Sequence, residues 1–195
     1  MSKAAATRHG ILQKAFELIY LKGYQATSID EIIATTAVTK GAFFYHFKNK
    51  EEMGLAMINE VMYPGMAPYM INALGKTDDV LNDIYDMIKG LLLVNPFFKV
   101  EYGCPAVNLI DEMAPLNESF RKALMHLMVE WQQAIEKSLL KAQAKGLVSK
   151  TYEPKHISLF ITANYSGVRN MGKVFGKSSY VEYLKQFKVY LNSLK

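Results

Sequence analysis

Residues 27–50 carry side chains suited to binding phosphates, namely hydroxyls, lysines and polar aromatics at close spacing. Thr27 and Ser28 precede an apolar run and can cap a helix, and Ser28 with Glu31 has the form of a capping box. Thr39 is a candidate N-cap for a second helix. Because the first N–H groups of a helix are unpaired and carry partial positive charge, all three hydroxyl residues are candidate phosphate-binding positions.

The second helix of this stretch has the composition of a surface that reads a groove. Gly41 would allow backbone to approach backbone, and Tyr45 and His46 offer hydrogen-bond donors. Phe43 and Phe47 lie four residues apart and are expected to anchor the helix from beneath. Two short helices joined by a tight turn predict a helix-turn-helix whose second helix enters the major groove of DNA. The cations available for phosphates are Lys40, Lys48 and Lys50.

Residues 38–53, VTKGAFFYHFKNKEEM, resemble the recognition segment of the TetR-like transcriptional regulators, and residues 23–29, GYQATSI, resemble the segment that leads into that family's second helix. Many family members have a tyrosine and a hydroxyl residue at the positions held here by Phe44 and Ala42. The resemblance covers roughly the first quarter of the chain and implies a DNA-binding regulator, most often a repressor. The residues assigned to DNA are Thr27, Ser28, Thr39, Lys40, Gly41, Ala42, Phe44, Tyr45, His46 and Lys50.

The remaining elements must position this helix pair. Apolar residues recur every three or four positions along the chain, and strand-like alternation is absent from the sequence. We therefore predict an all-α fold of roughly nine helices. Residues 1–50 are expected to form a three-helix DNA-binding head, and residues 51–195 a larger helical ligand-binding and dimerisation body. A helix that starts at Lys50 should link the two and end or kink near Pro64.

Bulk composition fits DNA binding without proving it. The net charge is +5, but residues 141–195 hold ten Lys/Arg against two Asp/Glu, so most of the surplus lies far from the proposed reading helix. A solvated face explains this best, and a second nucleic-acid surface is the alternative. The single cysteine, Cys104, fits a reducing compartment. No signal-peptide pattern or apolar run of ~20 residues occurs, so we expect a soluble cytoplasmic protein without membrane contact.

Two helices near the C-terminus predict a homodimer. The last helix carries a stripe of five large apolar residues that a lone helix should not leave in water. The preceding helix has Ala163, Gly167 and Gly172, which permit close approach of another helix. The alternative is that both helices pack into the monomer core. A symmetric pair of reading heads would bind a palindromic operator in double-stranded DNA. The stripe consists of Tyr180, Leu184, Phe187, Leu191 and Leu194.

The body is also expected to hold a small-molecule inducer, because methionines and aromatic residues are abundant there. Plain core is the common alternative for such residues. Asn108 and Arg169 interrupt apolar helical faces, and a buried polar group needs a partner from backbone or ligand. The candidate ligand-binding residues are Tyr85, Tyr102, Cys104, Asn108, Trp131, Tyr165 and Arg169.

Cys104 supports a second hypothesis for the signal. The segment Gly103–Asn108 resembles one found in a subset of the TetR-like regulators, some of which sense electrophiles or oxidants through a cysteine here. A helix start favours the reactive thiolate, whereas a lone cysteine is commonly inert core.

Enzyme chemistry is not expected, because the four histidines lack metal-ligand spacing and the sequence has no phosphate-binding glycine loop or nucleophile elbow. No metal or cofactor is predicted. Asp111 and Glu112 are expected to be a solvated or capping pair, and a dimeric module that binds protein is the remaining functional alternative.

Overall fold

The computed structural model describes residues 2–195, and within that range every regular element is a helix. The all-α prediction is confirmed. Two π-helical turns, Ile58–Met62 and Gly90–Val94, continue the helices that precede them. No helix in the described range is long and apolar enough to cross a membrane. The ten α-helices are α1 (Lys3–Lys22), α2 (Ile29–Ala34), α3 (Lys40–His46), α4 (Lys50–Met57), α5 (Tyr63–Met70), α6 (Val80–Lys89), α7 (Pro105–Met113), α8 (Glu118–Ala144), α9 (Pro154–Phe175) and α10 (Lys177–Asn192).

The helix starts predicted at Ser28 and Thr39 are present in the structure. Gly23 follows α1 with φ at 91°, a left-handed conformation that favours glycine. Ser28 and Glu31 form the capping box of α2, and the Thr39 hydroxyl accepts from the third N–H of α3. These signals are local, so the sequence alone is enough to place them.

The chain divides into two compact units whose limits differ from the predicted boundary at residue 50. The head unit comprises residues up to Gly65 together with Pro105–His126. The body unit comprises Met66–Cys104 and Leu127–Lys195. In the head unit α1 packs against α4 and the π-helical turn that follows it, so the helix starting at Lys50 belongs to the head.

A close approach at Gly54 explains why later helices join the head. A Cβ at this position would meet the Tyr24 ring at 2.8 Å and the Phe120 ring at 2.7 Å. The Tyr24 and Phe120 rings are themselves in edge contact, with centroids 4.8 Å apart. Glycine in α4 therefore admits an aromatic from α8 into the head, a pairing that no local sequence pattern encodes.

The linking helix does not stop at Pro64. Helical conformation runs from Lys50 through the π-helical turn to Met70, and Pro68 lies inside α5. Pro64 lies directly after the π-helical turn and, having no N–H, interrupts the helical hydrogen bonds there without ending the helix. Of the two predicted outcomes, an end or a kink, the end is therefore absent, and the helical hydrogen bonding changes at Ile58–Met62.

The apolar stripe of α10 is core of the body unit, not a surface for a second subunit. All five of its residues are buried within the single chain, where α10 packs on α9 and α6. Gly172 of α9 lies directly against the Tyr180 ring, so this glycine also serves packing inside the chain. The prediction that this stripe forms the dimer surface is wrong. The large apolar residues exposed on α9 are Leu159, Phe160, Met171, Val174 and Phe175.

Candidate nucleic-acid interface and a buried polar cluster

Helix α3 has one face fixed in the head unit and one face in solvent. Phe43 and Phe47 are buried beneath it, their ring centroids 5.6 Å apart, as their spacing predicted. On the opposite face Tyr45 is 78% exposed, and Phe44 is exposed beside it. An aromatic residue this exposed on a firmly anchored helix is available to a partner outside the chain.

The residues predicted to contact DNA fall into three groups. Six are exposed, namely Ser28, Thr39, Lys40, Gly41, Phe44 and Tyr45. Ala42, His46 and Lys50 are half-buried. Thr27 is fully buried: its hydroxyl donates to the Gly23 carbonyl at 2.7 Å and its N–H to the Tyr24 carbonyl at 3.2 Å. Thr27 therefore holds the turn after α1 and does not offer a phosphate-binding surface.

The start of α2 already holds an anion supplied by the chain. The Glu31 carboxylate accepts the Ser28 N–H at 2.9 Å and pairs with Lys22 at 2.5 Å. The Lys22 hydrogen bond, followed by the Ser28 N–H, lowers the pKa of Glu31 to about 2. Because this carboxylate offsets the positive helix end, we do not expect the start of α2 alone to bind a phosphate.

The lysines around α3 differ in how freely they can move. Lys40 pairs with Asp30 at 3.0 Å, and both side chains remain mostly exposed, so the pair contributes little and is easily exchanged. Lys48 is exposed. Lys50 donates to the Gln25 carbonyl at 3.4 Å and lies 4.3 Å from the centre of the Tyr24 ring; burial lowers its pKa. Lys50 is thus held against the loop that precedes α2.

Arg8 connects α1 to the end of α3. Its guanidinium binds Glu60 at 2.5 Å and donates to the His46 carbonyl at 3.2 Å. It also lies 4.4 Å from the centre of the Phe47 ring. These contacts orient α3 on α1, so Arg8 positions α3.

Glu112 is a functional candidate that the sequence did not reveal. Its carboxylate accepts the backbone N–H of Tyr24 at 2.8 Å and of Gln25 at 2.6 Å. The expected solvated or capping role of this residue is replaced by a clamp between α7 and the loop that leads to α2. The clamp joins residues 87 and 88 positions apart, so no short-range pattern could indicate it.

The body unit contains a buried polar cluster formed by Cys104, Tyr165, Arg169 and Tyr180. Arg169 is 0% exposed, and its Nη2 donates to the Gly103 carbonyl. Its guanidinium carbon lies 5.2 Å from the Phe98 ring centre and 5.4 Å from that of Tyr180. Cys104, the residue before α7, is 1% exposed.

Four polar atoms of this cluster lack a hydrogen-bond partner among the described residues. They are Nε and Nη1 of Arg169 and the hydroxyls of Tyr165 and Tyr180. Burial raises the pKa of Tyr165 well above its usual value, the nearby Cys104 thiol adds to the effect, and burial also raises the pKa of Tyr180. Both hydroxyls therefore stay protonated and can donate.

The structure brings together four of the seven predicted ligand residues. Trp131 joins Cys104, Tyr165 and Arg169: its ring lies edge-on to Tyr165 at 5.1 Å, and its Nε1 donates to the Met87 sulfur at 3.3 Å. Tyr180 was not among the predicted ligand residues, because its apolar spacing assigned it to the dimer stripe. Its hydroxyl within that stripe was the available signal.

The other three predicted ligand residues lie elsewhere. Tyr85 and Tyr102 are half-buried, with the ammonium groups of Lys188 and Lys99 at 5.5 and 5.8 Å from their ring centres. Asn108 belongs to the head unit, where it lines a small crevice with Phe16. Across residues 2–195, no group of three or more His, Cys, Asp or Glu side chains is placed to hold a metal ion.

Two segments of the chain match known protein families. Residues 11–57 match the family described as bacterial regulatory proteins, tetR family, and residues 85–187 match the tetracyclin repressor-like C-terminal domain. An HTH-type transcriptional regulator in the lacX 3' region of Lactococcus lactis subsp. lactis is 35% identical over 148 residues, which cover 76% of this chain and 74% of that protein.

Solved structures share the fold over nearly the whole chain. A TetR transcriptional regulator from Chloroflexus aurantiacus superposes with a TM-score of 0.88 at 21% identity, covering 98% of this chain and 97% of that one. The reduced form of NemR from Escherichia coli superposes with a TM-score of 0.77 at 21% identity, covering 96% of both chains.

Proposed function

Because the chain belongs to the TetR family of bacterial regulatory proteins, we propose that it represses transcription by binding an operator through α3 and leaves the operator when the body binds a small molecule. The observation that carries the proposal is the solvent-facing side of α3, where Tyr45 and Phe44 are exposed above the buried Phe43. A relative with a similar sequence, NemR of Escherichia coli, is a transcriptional repressor.

In this proposal the exposed side chains of α3 lie in the major groove. Tyr45 contacts base edges or the sugar-phosphate backbone at the groove wall, and Thr39, Lys40 and Lys48 contact phosphates. The exposed ion pair between Lys40 and Asp30 opens at little cost when a phosphate replaces the carboxylate. Lys50 and His46, which are half-buried, mainly fix the angle of the helix.

A symmetric operator requires a dimer, and the outer face of α9 supports one. Ala163 and Gly167 are exposed there, between the exposed side chains of Leu159 and Met171. Small residues at the centre of an apolar helical face permit close helix packing, so we propose that α9 packs against its copy. The two α3 helices would then need to sit about 34–36 Å apart to enter successive major grooves.

Helix α7 follows the polar cluster directly in the chain and is hydrogen-bonded to the loop before α2. Arg169 holds the Gly103 carbonyl, and α7 begins two residues later, at Pro105. Near its other end, Glu112 holds the N–H groups of Tyr24 and Gln25. A ligand that draws on Arg169 would release residue 103, move α7 and shift the loop before α2. A coupling of about 1–3 kcal/mol changes affinity 5–150-fold, which is enough for induction.

Binding to the DNA fragment upstream of the protein's own gene tests this function. We expect an affinity that falls steeply with salt, as counterion release requires. Tyr45→Ala should weaken binding about tenfold, and Lys48→Ala should lower the salt slope by about one. Lys177→Ala is the matched control, because Lys177 is also exposed but belongs to the body unit. Equal losses for the two lysine variants would instead favour a nucleic-acid surface near the C-terminus. Salt-insensitive binding would favour the protein-binding alternative.

Modification of Cys104 is the second candidate signal. Cys104 is the single cysteine and lies in the polar cluster directly before α7, so its oxidation or alkylation would act on the same route. Its burial at 1% exposure slows attack by bulky reagents. If Cys104→Ser abolishes release from the operator by quinones, the thiol is the sensor; unchanged release excludes it.

A further inference from the structure

We infer that the buried polar cluster is a binding site for a small carboxylate, held by Arg169, Tyr165 and Tyr180. The inference extends the proposed function, because it names the chemical class of the inducer. It rests on four polar atoms that the described chain leaves without hydrogen-bond partners at one place in the body unit.

A buried guanidinium without an anion is the strongest of these signals. Arg169 is fully buried, yet only its Nη2 has a hydrogen-bond partner, a backbone carbonyl that carries no net charge. No carboxylate in residues 2–195 forms an ion pair with it. Glu101, whose charge acts on Tyr180, is exposed to solvent. Buried charges in proteins are normally paired, because an unpaired charge in a low-dielectric interior is costly. The faces of Phe98 and Tyr180 compensate only in part.

The two tyrosine hydroxyls point to the same conclusion independently. Each is buried and protonated and lacks a nitrogen or oxygen partner, and the Cys104 thiol beside Tyr165 is only a weak acceptor, whereas buried hydroxyls in native proteins are almost always hydrogen-bonded. The unpaired groups of the cluster are therefore the positively charged guanidinium of Arg169 and two neutral O–H groups, all of which donate hydrogen bonds. A site with donors and no acceptor binds an anion in preference to a cation or a neutral amide.

The form of the donors selects among anions. Each bidentate edge of a guanidinium includes Nη2, so a carboxylate would bind Nε or Nη1 together with the Nη2 hydrogen that does not bind the Gly103 carbonyl. The guanidinium carries a single positive charge, so a monoanion is neutralised, while a phosphate dianion would bury an excess negative charge. The surrounding rings of Phe98 and Trp131 suit a short apolar or aromatic tail.

Met87 joins a surface groove of the body unit to the side chains that surround the cluster. Met87 lines an open groove beside Tyr69 and Gly90, and its sulfur accepts from Trp131, whose ring contacts Tyr165. Thioether sulfur is a weak acceptor on a flexible side chain, so Met87 and Trp131 can shift without losing a strong hydrogen bond.

Ligand binding to the purified full-length protein tests the site directly. Sodium acetate, propionate, butyrate and benzoate are compared with the corresponding primary amides and with sodium chloride and phosphate at equal ionic strength. We expect at least one carboxylate to raise the melting temperature in a saturable manner, as ligand linkage requires, with no such effect from its amide. Equal effects of carboxylates, amides and inorganic salts would overturn the inference.

Matched variants then locate the binding. Tyr165→Phe should weaken carboxylate affinity about tenfold, because a hydrogen bond to a charged group is lost. Arg169→Met should abolish binding, and Arg121→Gln, which removes an exposed arginine, should leave it unchanged. If Arg169→Met does not fold, Tyr165→Phe and Tyr180→Phe decide. Wild-type carboxylate affinity in both tyrosine variants would place the anion elsewhere and overturn the inference.

Operator binding measured on the same samples separates this inference from the proposed function. A protein that binds operator DNA but no carboxylate retains the proposed function and loses the anion site. A protein that binds carboxylates through Arg169 but ignores DNA retains the site and loses the proposed function.

Discussion

The head unit and the body unit treat their buried polar groups in opposite ways. Within residues 2–195, the buried side-chain polar atoms without a hydrogen-bond partner all belong to the body unit. In the head unit the chain supplies its own partners: Glu112 for the loop before α2, Glu60 for Arg8 and the Gly23 carbonyl for Thr27. The head unit therefore has polar groups available to a partner only on its outer surface, whereas the body unit also has unpaired polar groups in its interior.

This difference fits the partners proposed for the two units. Duplex DNA is too large to enter a protein, so the reading helix must be rigid inside and exposed outside. A small ligand is buried when bound, and the groups that will bind it must stay unsatisfied until it arrives. Two buried hydroxyls of this chain illustrate the difference: that of Thr27 donates to a backbone carbonyl, and that of Tyr165 has no nitrogen or oxygen partner.

Glu112→Ala should give the largest effect. The two N–H groups of the loop before α2 lose a charged acceptor, and we expect the free energy of unfolding to fall by about 3 kcal/mol. Urea denaturation measures the change. Asp111→Ala is the control, since Asp111 is a neighbouring exposed carboxylate on the same helix. Equal, small losses for both variants would mean that water replaces Glu112 at no cost.

Thr27→Val should have a smaller effect of the same sign. Valine keeps the shape of threonine but removes the hydroxyl that donates to Gly23 at 2.7 Å, and the carbonyl then lacks this partner. We expect a loss of about 1.5 kcal/mol in the free energy of unfolding, measured by urea denaturation. A neutral result would show that the hydroxyl is not needed to hold the turn after α1.

Tyr165→Phe should act in the opposite direction in ligand-free protein. The hydroxyl has no nitrogen or oxygen partner, and the Cys104 sulfur beside it is a weak acceptor, so its removal relieves a desolvation penalty and we expect a gain of about 0.5–1 kcal/mol. Thermal unfolding without added anions measures it. Destabilisation similar to that of Thr27→Val would reveal a buried water as the missing partner and would erase the contrast between the units.

The sequence predicted the head better than the body because the head's signals are local. A capping box spans four residues, and the buried pair Phe43 and Phe47 lies on adjacent turns of one helix. The contacts it missed join distant segments: Glu112 binds the loop before α2 from 87 positions away, and Phe120 reaches Gly54. Such pairs leave no periodic pattern, so the extent of the head unit could not be predicted.

Periodicity also shows that a helix has an apolar face without showing what covers it. The stripe on α10 is real, but α9 and α6 of the same chain cover it. Periodicity therefore could not distinguish a dimer surface from core for the α10 stripe, and it separated Tyr180 from Arg169. The sequence still singles out Arg169 as a candidate, because a polar group on an apolar face is rare enough to stand out, whereas Tyr165 was predicted as one of many aromatic residues.

The smallest expected effect is the pH dependence of the capping network formed by Glu31, Lys22 and Ser28, which acid denaturation tests. Because Lys22 and the Ser28 N–H hold the pKa of Glu31 near about 2, below its ordinary 4.5, this carboxylate contributes stability that is fully present above about pH 4.5. The contribution should fall as the pH drops from about 4.5 to about 2 and be absent below that. The urea midpoints of the wild type and of Glu31→Gln should therefore converge as the pH falls across this range. Glu17→Gln, which removes an exposed carboxylate from α1, is the control: its difference from the wild type should depend much less on pH. A difference between wild type and Glu31→Gln that stays constant down to pH 2 would mean that the side-chain shape of Glu31, and not its charge, closes the network.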